Sequence, residues 1–176
     1  MAPSEGPGAE AAHPAGHDAT ADRFGQVVDA VTDWDAPTPV PEWRARDVVH
    51  HLTTWLPDLL GSCGVDLPTG ELADPVGSWH RQDEALRALL ATRGDEVLTH
   101  PFLGTKTLAE MLAQVYVGDV FLHTWDLARA SGQEGRARLA WGLGLEQWLV
   151  LGWEDEIIGL QKMLGADARP PQGGSA

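Results

Sequence analysis

Asp119 and His123 stand four residues apart in the stretch GDVFLHTWDLARA, whose apolar residues recur at helical spacing. That spacing puts two side chains one above the other on a single helix face, so a carboxylate and an imidazole can converge on one point. The same face carries Leu108, Leu112, Val115, Tyr116 and Leu127 and reads as the stripe turned toward a core. Burying a carboxylate and an imidazole there costs several kcal/mol unless each finds a partner.

A third donor lies far upstream, in ARDVVHHLTTWLPDLL. His51 is in phase with Val48, Leu52, Trp55 and Leu59 on an apolar face, whereas its neighbour His50 is out of phase. Two imidazoles and one carboxylate from two helices match the donor set of a divalent metal that keeps at least one open position. The competing reading is a polar cluster in which Asp119 and His123 satisfy each other. Gly118 costs about 1 kcal/mol relative to alanine inside a helix, which fits a close helix approach near this pair.

The elements that must position these residues are predicted to be helices. Segments at about 20–34, 45–60, 75–92 and 107–131 show apolar residues at spacings of three and four, and a fifth at about 137–164 carries Trp141, Trp148 and Trp153. Asp74-Pro75 reads as an N-cap acid followed by proline at the first helical position. Thr107 and Glu110 read as a capping box. Between them, DEVLTHPFLGTK is too scattered for a helical stripe and predicts a short strand or hairpin. The loop DAPTPVPEW, with three prolines, stiffens the approach to the second helix. An all-α antiparallel bundle follows, formed by residues 19–165 as one domain between tails at 1–18 and 166–176 that are expected to be disordered. His13 and His17 fall in the first tail and read as solvated.

Composition narrows the function. The net charge of -14 works against nucleic acid and anionic lipid as partners. The single cysteine, Cys63, excludes a disulfide framework and a thiolate zinc cluster, which suits a reducing cytoplasm. No apolar run approaches the roughly 20 residues of a membrane span, and the first residues lack the pattern of an export signal. The stretch LAWGLGLEQWLVLGW carries more apolar surface than one helix stripe buries and points to a homodimer contact.

Other candidates stand beside the central trio. Asp126 is three residues past His123, placed either to accept a hydrogen bond from that imidazole or to pair with Arg129 or Arg46. His100, in the loop THPF, is a candidate for the mouth of a pocket between helix ends. His80, Arg46, Arg81 and Arg129 read as surface groups, and Cys63 has no basic neighbour in sequence to activate it.

The paired motifs PTPVPEWRARDVVHHL and DVFLHTWDLARASG resemble the DinB-like metal-binding superfamily, in its actinobacterial branch related to mycothiol-dependent maleylpyruvate isomerases. The resemblance covers about residues 23–132 and departs from the family at Arg44, where a Thr or Ser cap is usual. It implies a DinB-like four-helix bundle, here with an additional C-terminal helical segment, and a divalent metal, zinc or nickel, held by His51, Asp119 and His123. It also implies a metal-dependent transferase or isomerase of small molecules, with mycothiol as thiol cofactor. A binding protein that holds a metal or small ligand without turnover, and redox iron chemistry on the same donor set, are the alternatives.

Overall fold

Prolines and glycines mark the limits of the elements in the computed structural model, which describes residues 14–133 and 135–136. Helix α1 spans Pro14–Val28, α2 Ala45–Gly61, α3 Pro75–Arg93 and α4 Leu108–Ala130; strands β1, Val97–His100, and β2, Gly104–Thr107, stand between α3 and α4. The expected fifth segment at 137–164 and its dimer contact lie outside the described residues. Among those residues no helix is long and apolar enough to cross a membrane.

The first helix starts and stops earlier than the sequence suggested. Pro14 suits a first helical position, where its missing N–H costs nothing. The helix thus begins inside the stretch read as a tail. At the other end the amides of Ala30 and Val31 turn back only three residues, to the carbonyls of Val27 and Val28, and this tightening closes the helix before Trp34.

Helix α2 contains Pro57, which has no N–H to give the Thr53 carbonyl one turn back. The Gly70 amide donates to that carbonyl instead, at 2.9 Å. Only glycine permits the approach: a Cβ on Gly70 would lie 2.0 Å from Thr53 Oγ1. The start of α2 is equally defined without a side-chain cap from Arg44. Its amide donates to Asp47 Oδ2 at 2.7 Å, while Ala45 and Arg46 donate their amides to the carbonyls of Ala36 and Trp34.

Helix α3 opens as expected, with Asp74 Oδ1 accepting from the Gly77 amide at 3.0 Å. The hairpin pairs Val97 with Thr107 and His100 with Gly104 in antiparallel register, its turn closed by Gly104 at φ 75°. Alternation explains the scattered apolar pattern, since Leu98 is buried and Val97 exposed. Thr107 then caps α4: its Oγ1 accepts from the Glu110 amide and its own amide donates to Glu110 Oε2 at 2.8 Å.

The four helices form a bundle in which α1 and α2 each pack against both α3 and α4. Both α2 and α3 finish at the hairpin end, where Cys63 Sγ approaches the Thr99 carbonyl and the Ala109 amide bonds Gly94. The far end of α4 meets the far end of α1 through Gln133, whose side chain donates to the Val27 carbonyl. So α1 and α4 run one way and α2 and α3 the other. The antiparallel contacts are those of α1 with α3, of α2 with α4 and, less extensively, of α3 with α4.

A polar layer crosses the core. Gln82 Nε2 donates to the Leu52 carbonyl and the Tyr116 hydroxyl, both at 2.9 Å, and so ties α2, α3 and α4 together. Burial pushes the Tyr116 hydroxyl pKa up, far above the ordinary tyrosine range. His17, read as solvated, is buried: it stacks on Tyr116, with Nε2 3.4 Å from Asp83 Oδ1.

Candidate metal centre

The helix directions decide which residues meet. Because α2 and α4 are antiparallel neighbours, His51, in the second turn of α2, faces the middle of α4, where Asp119 and His123 share a face. His51 Nε2 lies 3.1 Å from Asp119 Oδ2, and His123 Nε2 lies 3.4 Å from Asp119 Oδ1. One ligand atom from each residue falls within 4.8 Å of the others.

These side chains are less buried than their stripe suggested. The exposures are 32% for His51, 24% for Asp119 and 12% for His123. The packed residues of α4 flank the polar trio, and each of its side chains keeps part of its surface in solvent. A ligand therefore has a route to the donors.

Asp126 settles its own alternatives by geometry. It is 5% exposed, and its Oδ2 accepts from His123 Nδ1 at 2.9 Å, while among the described residues no arginine pairs with it. A carboxylate at Nδ1 requires the proton there, so in the neutral imidazole Nε2 carries the lone pair. That lone pair faces Asp119 Oδ1. Two acceptors 3.4 Å apart repel unless a proton or a cation stands between them.

The donor set fits a divalent cation. Bonds of about 2.0–2.2 Å to nitrogen and oxygen place neighbouring ligand atoms about 3.0–3.5 Å apart in octahedral or tetrahedral geometry. The separation of His123 Nε2 from Asp119 Oδ1 lies in that interval, and so does that of His51 Nε2 from the other oxygen, Oδ2. Among the described residues, Asp119 is partnered by His51, Trp55 and His123 and by no lysine or arginine, so no fixed cation neutralises it.

Two tryptophans wall the site. The Trp55 indole N–H donates to Asp119 Oδ2 at 2.9 Å. Trp43 packs against both imidazoles, its ring centroid 5.1 Å from His51 and 5.6 Å from His123. The loop before α2 presents Trp43 rigidly. A bridge pairs Pro37 with Arg44, the Thr38 amide bonds the Trp43 carbonyl, and Glu42 takes the left-handed conformation at φ 68°. The sequence showed the prolines of this loop and the apolar phase of Trp55, but nothing in it marked either indole as a neighbour of the carboxylate or imidazoles.

The remaining candidates stand elsewhere. His50 is not in the cluster, and among the described residues its buried Nδ1 has no hydrogen-bond partner. His100 sits at the end of β1, where its Nδ1 accepts from the Phe102 amide. The hairpin packs near the end of α2, about 15 Å of helix axis beyond His51, so His100 does not adjoin the trio. His80 is exposed and paired with Asp29 at 2.7 Å. Arg46 pairs with Asp35, Arg81 with Asp74, and the Arg129 guanidinium lies over the Trp125 ring.

Residues 15–74 match the family model described as the mycothiol maleylpyruvate isomerase N-terminal domain, a DinB-like superfamily member. The match contains α1, α2 and the Asp74 cap of α3. It includes His51 and ends before α4, so the association of Asp119 and His123 with His51 rests on the geometry. Nothing matches the chain among curated proteins or among solved structures.

Proposed function

We propose, from that match and from the convergence of three donors, that the protein is a divalent-metal-dependent enzyme of the mycothiol-dependent transferase or isomerase type. The observation that carries the reading is His123 Nε2 facing Asp119 Oδ1 at 3.4 Å, with Nδ1 of the same ring engaged by Asp126. His51, Asp119 and His123 would hold the cation, zinc or nickel by the chemistry of two imidazoles and one carboxylate. When bound, such a cation lowers the pKa of a thiol or water toward neutrality and polarises a carbonyl.

The chain's own residues supply the rest. Asp126 fixes the His123 tautomer and ring plane. Trp43 and Trp55 cover the two imidazoles and the carboxylate, which limits water on that side and strengthens electrostatics within the site. The solvent-facing surface of the trio admits a thiol such as mycothiol together with a small-molecule substrate. A cytoplasmic location, where such a thiol stays reduced, suits the single cysteine.

One observation favours ligand binding without turnover. Each titratable group of the cluster is already engaged by another, so none of the four is spare as a general base. Metal analysis of protein purified without a histidine tag, followed by a mycothiol-conjugation assay on the loaded protein, separates the readings. Metal with conjugation supports the enzyme; metal without it supports the binding protein; no metal removes both.

A further inference from the structure

We propose that Trp55 is a positioning residue that reserves one oxygen of Asp119 and makes the carboxylate a one-oxygen ligand. The proposal rests on the metal reading above and concerns a residue outside the three donors.

A carboxylate beside a divalent cation has two ways to bind. Both oxygens can chelate, which fills coordination positions, or one can bind while the other accepts a hydrogen bond. In this protein the two oxygens of Asp119 have different surroundings. Oδ2 accepts from the Trp55 indole N–H at 2.9 Å, which takes one of its lone-pair directions. Among the described residues Oδ1 has no hydrogen-bond donor, and it faces His123 Nε2 at 3.4 Å. The carboxylate is thus polarised, with Oδ1 the more available donor.

The indole is itself held. Trp55 lies one helical turn beyond His51 on α2, and the two rings are 6.1 Å apart. It also meets Tyr116, at 5.8 Å between centroids. Tyr116 is anchored through Gln82 to the Leu52 carbonyl. A chain of contacts therefore runs from the buried polar layer through Tyr116 and Trp55 to Oδ2. An indole can only donate, so it cannot ligate the cation or take a proton from it. What it does is hold a coordination position open for substrate.

Cobalt(II) substitution tests this without an activity assay, because visible absorption weakens as coordination number rises. Trp55→Phe keeps an aromatic ring against Tyr116 and His51 and removes the donor. Wild type is expected to give the strong bands of a four- or five-coordinate ion. Trp55→Phe should give bands weaker by about threefold or more, as Oδ2 joins the cobalt. Equal spectra for the two proteins, with only the melting temperature changed, would show Trp55 to be structural and overturn the proposal. A wild type that takes up no cobalt overturns the metal reading itself, and this proposal with it. If Trp55→Phe does not fold, the wild-type indole N–H proton resonance decides. A hydrogen-bonded downfield shift kept on zinc loading supports the assignment, and its loss overturns it.

Discussion

His123 donates from Nδ1 to Asp126 across 2.9 Å, and this bond decides which nitrogen of the imidazole is left to bind. Nδ1 is committed to a buried carboxylate, so Nε2 alone faces Asp119. Replacing Asp126 with alanine frees the ring to turn and to change tautomer. Zinc affinity should then fall about 10–100-fold, the range for losing such an outer partner. Competition against a chromophoric chelator measures it, and an unchanged affinity would show that packing alone orients His123.

The meeting of Gly70 with Pro57 predicts a backbone defect with no chemical group lost. Gly70→Ala forces a Cβ to within 2.0 Å of Thr53 Oγ1 and displaces the amide that satisfies the carbonyl freed by the proline. Overpacking of this kind costs about 1–3 kcal/mol. Urea unfolding should show that loss, whereas alanine at Gly61, with open space around it, should cost far less.

Asp83 makes the acid limb of stability depend on one ion-pair cluster. Burial acts to raise its pKa, but the neighbouring His17 imidazole and the hydrogen bonds from Arg87 outweigh burial and hold it below the ordinary 3.8. A depressed folded pKa means the contribution is complete above 3.8 and disappears as pH falls through the folded value. The stability advantage of wild type over Asp83→Asn should therefore stay whole down to about pH 4 and shrink only below it. Thermal melts of both proteins across that range check the sign; an advantage that grows on acidification would contradict it.

Legibility from sequence followed the size of the signal each residue leaves. The capping residues Asp74 and Thr107 marked their helices because a cap is read from its own side chain and the next three residues. His51, Asp119 and His123 were visible as polar residues in phase with apolar ones. Residues 14–19 were not, because PAGHDA offers no large apolar side chain; what fixes His17 is Tyr116 and Asp83, more than sixty residues away. The helix directions were hidden for a related reason. Short connections favour antiparallel neighbours, but the stretches 29–44 and 62–74 are long enough to carry the chain across the bundle. Likewise, Trp55 looked like core because its phase reports the face it lies on and not the hydrogen bond its indole makes.

Melting temperature and metal content of untagged protein, with and without chelator, test the central claim most directly. Metal that binds only the folded chain stabilises it by about 2.7 kcal/mol at one hundred times its dissociation constant. Wild type should carry metal and melt lower once it is removed. His51→Ala, Asp119→Ala and His123→Ala should each lose both the metal and the shift on adding zinc or nickel, while His50→Ala should keep them. If wild type carries no metal and melts at the same temperature with chelator, with zinc and with nickel, then His51, Asp119 and His123 are a self-satisfied polar cluster, and the metal centre is contradicted.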